Sequence, residues 1–177
     1  NISGSETVCD GADNDCNGVV DDGASCPVTP IYNADANCAS RDHAYLMLNY
    51  QTVGQVYGWS DGRSTCTSMG YDLMVVNDVC EWNWLEQQIW SRSTGWSATD
   101  MWWVGHQCTG SSCGASPNWT AVDGTTGYIE NLGNWVPGYG YNCLHAQDVN
   151  FEREYADLIL YPYTCATTLQ VICESTN

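Results

Sequence analysis

The chain has 177 residues, of which 21 are acidic and 4 are basic, and its formal net charge at pH 7 is −17. Such a charge disfavours nucleic acids and anionic membrane surfaces as partners, because both repel an acidic protein. No run of about 18 apolar residues that would span a membrane is present, and the 44% hydrophobic and 12% aromatic content predicts a packed core rather than disorder.

Eleven cysteines are spread along the chain, and this density predicts disulfide bonds and a secreted, extracellular or cell-surface location. Their odd number leaves at least one thiol unpaired or bonded to another chain. Zinc is not expected, because no C-x-x-C pair occurs and His43, His106 and His145 are far apart in sequence. N-glycosylation triplets begin at Asn1 and Asn118. The lack of a signal peptide predicts a mature product or an excised fragment.

Residues 1–27 are predicted to form an acidic segment with a calcium-binding loop. Oxygen-bearing side chains alternate from Asp13, Gly18 permits a sharp turn, and Val19 offers its carbonyl, as at the start of an EF-hand loop. The glutamate that ends an EF-hand loop is replaced by Ala24. The predicted ligands of a structural Ca2+ ion are Asp13, Asp15, Asn17, Val19, Asp21 and Asp22. The alternative is a solvated acidic tail with turn-forming residues, but the alternation together with the glycine favours calcium.

This loop resembles the isolated calcium loops of thrombospondin type 3 repeats. It is more similar still to a cysteine-containing metal-binding motif of bacterial surface proteins, which this chain has from Cys9 to Gly23. Within the motif, Cys9 and Cys16 are positioned to staple the loop. A structural role for the ion is therefore favoured over a sensing role.

A globular domain is predicted over residues 38–177, after a linker over residues 28–37 in which proline favours an extended path. Apolar periodicity and turn residues predict, in chain order, a strand at 43–50, a helix at 60–69, a strand at 71–76, a second helix beginning at 78, and short strands at 101–105, 119–122, 144–147, 155–160 and 168–173. The predicted N-caps are Ser60 and Asp78, and Glu81 completes a capping box with Asp78. The predicted buried face of the second helix is Trp82, Leu85 and Ile89. Two helices followed by short strands predict an α+β fold.

Several short motifs follow one another in a fixed order. They are Trp59-Ser-Asp-Gly-Arg-Ser-Thr-Cys66, Asp72-Leu-Met-Val-Val-Asn77 with Glu81 and Leu85, Trp103-Val104-Gly105, Trp119-Thr-Ala-Val-Asp-Gly124, Asn134-Trp135, Cys143, Cys165 and Val171-Ile-Cys173-Glu174. Their order and spacing resemble the C-type lectin-like domain over residues 38–174. The resemblance implies two helices, short antiparallel strands and a long loop. It also implies two disulfide bonds, Cys66–Cys173 and Cys143–Cys165.

The other cysteines are less constrained. Cys108 and Cys113 are predicted to pin a local turn. The sequence does not determine how the remaining five pair, and these are Cys9, Cys16, Cys26, Cys38 and Cys80.

The aromatic residues of the long-loop region, residues 106–142, are candidates for ligand binding. Trp59, Trp103 and Trp135 match positions that are core in the resembled fold, so they are expected to pack rather than to bind. Exposed aromatic faces in the loop would stack on sugar rings or anchor a protein partner. The predicted ligand-binding residues are Trp119, Tyr128, Tyr139, Tyr141 and Asp157.

The long-loop calcium site of the sugar-binding members is not expected here. Those members hold the ion with an E-P-N or Q-P-D triplet, a later glutamate and a W-N-D triplet. Here Tyr139-Gly-Tyr141 occupies the first region and Tyr155-Ala-Asp157 replaces the last, so Asp157 is the one carboxylate retained. A calcium ion needs about six to eight oxygen ligands. The acidic run before Asp157 offers an alternative ligand set, but a solvated acidic loop is the expectation.

The sequence predicts no enzyme, because the nucleophile-elbow, phosphate-loop, dinucleotide and H-E-x-x-H motifs are all missing. It predicts a secreted or cell-surface recognition module that binds a glycan or an extracellular protein through the long loop. The alternative is a structural subunit of an extracellular filament, sheath or adhesin. Such a subunit would self-assemble through its N-terminal segment or through an unpaired cysteine.

Overall fold

The structure, a computed structural model, describes residues 9–16, 19–21, 26–34, 37–38, 43–92, 101–109, 113, 119–125, 141–148 and 158–175. Within these ranges the strands are β1 (Ile31–Tyr32), β2 (Ala44–Leu48), β3 (Tyr71–Leu73), β4 (Met101–Cys108), β5 (Trp119–Ala121), β6 (Cys143–Asp148), β7 (Leu158–Tyr163) and β8 (Gln170–Ser175). The helices are α1 (Tyr50–Val53), α2 (Trp59–Ser68) and α3 (Val79–Arg92). The predicted α+β fold is confirmed, with α1 as one additional helical turn.

The described strands form one sheet. Its neighbouring strands follow the order β1-β2-β8-β4-β6-β7, while β3 pairs with β8 and β5 pairs with β4. The pairing of β4 with β8 is parallel, and the other pairings are antiparallel. The hairpin of β6 and β7 therefore lies at one edge of this sheet, directly after the predicted long loop.

The start of α2 differs from the prediction. Gly58 is the N-cap, so the prediction of Ser60 in that role is wrong. The amide of Trp59 donates to the carbonyl of Cys165 at 2.9 Å, which satisfies one of the amides that a helix start leaves without an intrahelical partner.

The start of α3 agrees with half of the predicted capping box. The Asp78 carboxylate accepts a hydrogen bond from the Glu81 amide at 2.7 Å. The return bond differs, because the Glu81 carboxylate accepts from the amide of Asn77, at 2.7 Å, one residue before the predicted cap. The Glu81 side chain is thereby turned inward, toward Tyr45 of β2, and is fully buried.

Both faces of the sheet are buried. One cluster covers the face toward α3 and includes Tyr45, Met47, Trp82, Leu85 and Ile89. The other covers the face toward α2 and includes Leu46, Leu48, Trp59, Tyr71 and Trp103. Trp59 and Trp103 are 4% and 0% exposed, which agrees with the core positions implied by the resemblance.

The N-terminal segment, meaning the described residues between 9 and 34, packs onto the α2 side of the domain. Val20 is 5% exposed and belongs to that core cluster. Gly11 and Gly70 meet so closely that a Cβ atom at Gly70 would lie 1.4 Å from the carbonyl oxygen of Asp10. Part of the predicted linker belongs to the sheet, because Ile31–Tyr32 form β1 and pair with β2.

Five disulfide bonds join described residues. Cys66–Cys173 and Cys143–Cys165 are the two that the resemblance implies, and Cys108–Cys113 closes the local turn. The other two bonds are Cys9–Cys26 and Cys38–Cys80. The prediction that Cys9 and Cys16 staple the acidic loop is wrong, because Cys9 bonds Cys26 and Cys16 is an exposed free thiol.

Candidate functional site

Two tyrosines lie at the ends of β6 and β7 that adjoin the predicted long loop. Tyr141, a predicted ligand-binding residue, is 43% exposed, and Tyr163 is 37% exposed. Their ring centroids are 5.8 Å apart and their planes differ by 25°. The two rings are thus stacked on each other, and each remains partly exposed to solvent. Tyr163 is not among the predicted binding residues, because the run Tyr161-Pro-Tyr163 has no alternation of polar and apolar residues that would separate exposed positions from buried ones.

Two further rings, those of His145 and Tyr161, pack behind Tyr163. His145 is 2% exposed and meets Tyr163 edge to face, with centroids 5.4 Å apart. Tyr161 stacks on His145 with centroids 6.0 Å apart. Burial lowers the pKa of His145 from 6.5 to about 4, so the imidazole is neutral at physiological pH. Tyr163 thus packs on an uncharged ring, and Tyr141 stacks on Tyr163 in turn.

Trp119 does not belong to this surface. It is 0% exposed, and its indole N–H donates to the carbonyl of Cys113 at 3.0 Å. The prediction of an exposed Trp119 is therefore wrong. The physical reason is strand alternation, because Trp119 and Ala121 of β5 face the core while Thr120 between them is partly exposed.

The other predicted site residues divide into two groups. Some lie outside the described residues, and these are Asn17, Asp22, Tyr128, Tyr139 and Asp157. In the acidic loop, Asp13 and Asp15 are partly buried and Val19 is exposed.

Asp21 is the exception within the acidic loop, because it is 2% exposed and points toward protein donors. Its carboxylate accepts from the amides of Asp10 and Gly11 at 3.1 and 3.0 Å. It also accepts from the hydroxyl of Tyr71, the first residue of β3. These donors compete with a cation for the same oxygens, so Asp21 is better placed to anchor the loop to the core than to bind an ion.

A separate cluster of ionisable groups lies where β2, β8 and α3 meet. His43, Glu81 and Glu174 each offer one ligand atom, and these atoms lie within 4.8 Å of one another. His43 Nδ1 is 2.6 Å from Glu174 Oε1, and the amide of Val75 donates to Glu174 Oε2 at 3.0 Å. Tyr45 donates to Glu81 at 2.7 Å. This donor set is chemically able to hold a cation, but its oxygens are already engaged in hydrogen bonds within the protein.

Burial, and then the negative charge of Glu174, raise the pKa of Glu81 to about 8. At neutral pH, Glu81 is accordingly protonated and the cluster contains one fewer charge than its composition suggests. A cavity of about 300 Å³ opens beside it and is lined by His43, Glu174, Asp72 and Asp123, among others. Arg63 binds Asp72 through two bonds of 2.9 Å, which offsets that charge. Local sequence patterns do not predict this cluster, because the pairing of β2 with β8 and the packing of α3 bring its members together.

Among the described residues, no helix is both long enough and apolar enough to cross a lipid bilayer. No family model matches the sequence, and no curated protein matches it.

Solved structures do match the fold. The C-type lectin domain of murine dendritic cell inhibitory receptor 2, in complex with an N-glycan, aligns with a TM-score of 0.60 and 16% identity, covering 85% of this chain and 98% of that chain. The cow C-type carbohydrate-recognition domain of CD23, in the presence of a GlcNAc2Man3 oligosaccharide, gives 0.54 and 16%, covering 85% and 95%. A Ca2+-dependent type II antifreeze protein in its Ca2+-free form gives 0.54 and 17%, covering 85% and 100%. The fold of this chain is therefore C-type lectin-like.

Proposed function

We propose that this chain is a secreted or cell-surface recognition module without enzymatic activity, which binds a glycan or an extracellular protein through its long-loop face. That face consists of the predicted loop before β6 together with Tyr141 and Tyr163. The single observation that carries the proposal is the exposed, stacked tyrosine pair at this end of a C-type lectin-like fold. The glycans present with the murine receptor domain and the cow CD23 domain favour a glycan as the ligand. Five disulfide bonds support an extracellular location.

Binding through this face is proposed to occur without a long-loop calcium ion. Asp157 is the one carboxylate that the sequence retains from the family's ligand set, and a single carboxylate cannot coordinate Ca2+. The strand ends beside the loop present aromatic rings, at Tyr141 and Tyr163, instead of carboxylates. Recognition would therefore depend on ring contacts and neutral hydrogen bonds.

A glycan array tests this function when it is read in a buffer of about physiological ionic strength, once with added Ca2+ and once with EDTA. Saturable binding to a defined glycan, with similar intensity in both buffers, is the expected result. Binding that disappears in EDTA would contradict the calcium-free part of the proposal. If no glycan is bound, a pull-down from extracellular matrix with the immobilised chain shows whether the ligand is a protein.

Calcium is proposed instead for the acidic loop, with a structural role. The candidate ligands are Asp13, Asp15, Asn17, Val19 and Asp22, and their oxygen atoms suit Ca2+ better than softer metals. Asp21 would position the loop through its bonds to Gly11 and Tyr71. Isothermal titration of Ca2+ into the protein and into an Asp13→Asn, Asp15→Asn double variant checks this assignment. Equal binding by the two proteins would contradict it.

The alternative function, a structural subunit of an extracellular assembly, is favoured by one observation. Cys16 is an exposed free thiol on the N-terminal segment, where a second copy of the chain has access to it. An interchain bond there would link subunits. Size-exclusion chromatography with light scattering, before and after reduction, distinguishes the two functions. Oligomers that are lost in Cys16→Ser would support the alternative, and a monomer under all conditions would contradict it.

A further inference from the structure

The tyrosine pair on the long-loop face is fixed by covalent and hydrogen-bonded constraints on both of its strands. Cys143 begins β6 two residues after Tyr141, and it pairs in register with Tyr163 at the end of β7. The disulfide Cys143–Cys165 then joins the same two strand ends. Both tyrosines are therefore held within two residues of one covalent clamp. A surface fixed in this way loses little conformational entropy when a ligand binds.

The ring of Tyr163 is also held from behind. His145 packs edge to face against Tyr163, and Tyr161 stacks on His145 in turn. All three belong to the β6–β7 hairpin, which is paired over its full described length. The ring of Tyr163 consequently cannot collapse inward without displacing the buried ring of His145.

The charge around these rings selects the kind of ligand. His145 is neutral because burial lowers its pKa to about 4, so the aromatic layer contributes no positive charge at neutral pH. The chain has a net charge of −17, which repels sulfated or sialylated sugars. An aromatic face carries partial negative charge, which is complementary to the C–H bonds on the apolar face of an uncharged pyranose ring.

We infer that Tyr141 and Tyr163 form a preorganised stacking platform for an uncharged pyranose, and that the platform binds the sugar directly, without a bridging calcium ion. This inference rests on the proposed recognition function and names its ligand class. It also adds Tyr163 to the binding residues.

The test uses the intact chain in EDTA and saturation-transfer NMR with three probes: methyl β-glucoside, chitobiose and the anionic sugar sialyllactose. The variants are Tyr141→Ala, Tyr163→Ala, and the conservative Tyr163→Phe, which keeps the ring. Tyr50→Ala is the matched control, because Tyr50 is 55% exposed on α1 and lies outside the long-loop face. Circular dichroism and the melting temperature establish that each variant is folded.

The expected result is saturation transfer to the C–H protons of a neutral probe and none to sialyllactose. Binding should weaken by about tenfold or more in each alanine variant, as is typical of central aromatic contacts, and by less than about twofold in Tyr163→Phe and Tyr50→Ala. Neutral-sugar binding that is unchanged in both alanine variants, or that appears only when Ca2+ is added, would overturn this inference and leave the recognition function standing. Absence of binding by any glycan, here and on the array, would overturn this inference, and absence of a protein ligand in the pull-down as well would overturn the recognition function too.

Discussion

Glu81 and Glu174 bring two carboxyl groups together where little water reaches, since they are 0% and 7% exposed. The hydroxyl of Tyr45 lies 2.7 Å from one carboxylate and 3.4 Å from the other. Burial and the charge of Glu174 raise the pKa of Glu81 from 4.5 to about 8. The folded protein therefore retains a proton at neutral pH that the unfolded chain releases.

We predict that the free energy of unfolding falls as the pH rises from about 6.5 to about 8. Because the folded-state pKa of Glu81 is raised, its stabilising contribution is complete below pH 4.5 and is lost as the pH approaches 8. The slope should not exceed about 1.4 kcal/mol for each pH unit. Denaturant unfolding in EDTA, in a Cys16→Ser background that prevents thiol exchange, measures it. Glu81→Gln should flatten the slope, while Asp61→Asn, at an exposed site on α2, should not; an unchanged slope in Glu81→Gln would refute the prediction.

The acid side of the pH profile depends on two buried histidines. Burial lowers the pKa values of His106 and His145 from 6.5 to about 4. Their folded-state pKa values are depressed, so the unfolded chain binds protons first, and stability is lost as the pH falls from about 6.5 toward 4. His145→Gln is expected to reduce this slope by up to about 1.4 kcal/mol for each pH unit relative to the unmodified chain. Denaturant unfolding of both proteins between about pH 4.5 and 6.5 measures these slopes. If the free energy of unfolding depends on pH equally in the two proteins, the prediction is wrong.

At the scale of elements, the N-terminal segment is held by the turn between α2 and β3. Gly70, in that turn, has φ +79°, and Gly11 has φ +73°. The two backbones touch there, and the next residue, Tyr71, donates to Asp21. The segment therefore depends on a contact that only a residue without a Cβ atom allows.

We predict that Gly70→Ala releases the N-terminal segment from the domain. The added Cβ atom would lie 1.4 Å from the Asp10 carbonyl oxygen. The Asp10 backbone cannot move aside without disturbing the hydrogen bonds that the Asp10 and Gly11 amides donate to Asp21. Hydrogen exchange of the amides in residues 9–21 should rise strongly. Gly54→Ala is the matched control, since Gly54 has φ +67° but no atom within 4 Å of the added Cβ. Gly54→Ala should lower the free energy of unfolding by about 1 kcal/mol, because its backbone is left-handed, and should leave the N-terminal segment protected. Similar hydrogen exchange in both variants would contradict the predicted release.

The elements also show what a sequence can predict. Trp82, Leu85 and Ile89 recur at helical spacing, and α3 buries that face as expected. The sequence predicts a strand at 119–122, which includes β5, but so short a strand does not reveal which of its faces is covered. The sequence therefore places Trp119 at the surface, although the side chain is buried. Local patterns do not predict contacts between residues that are distant in sequence. Tyr141 contacts Tyr163, Glu81 lies near Glu174, and Cys9 bonds Cys26 because the folded chain brings them together, not because of their spacing.

At the scale of the molecule, the net charge of −17 opposes the compact state through self-repulsion. Six of the 21 acids lie in the first 22 residues, and the described part of that region packs onto a domain of the same sign. Few cations offset this, since the chain has four arginines, of which Arg63 is bonded to Asp72. Cations from solution should therefore stabilise the folded chain, and a specifically bound ion should do so more than screening alone.

We predict that CaCl2 raises the melting temperature more than NaCl of equal ionic strength. An ion that binds only the folded state adds about 2.7 kcal/mol at a concentration of about 100 times its Kd. The Asp13→Asn, Asp15→Asn double variant should lose this calcium-specific increment but keep the general effect of salt. Glu81→Gln should keep both, because its cluster with His43 and Glu174 is a separate site. If the increment is lost in Glu81→Gln alone, the calcium binds in that cluster instead. If every protein melts at the same temperature in the two salts, no specific calcium ion stabilises the folded chain.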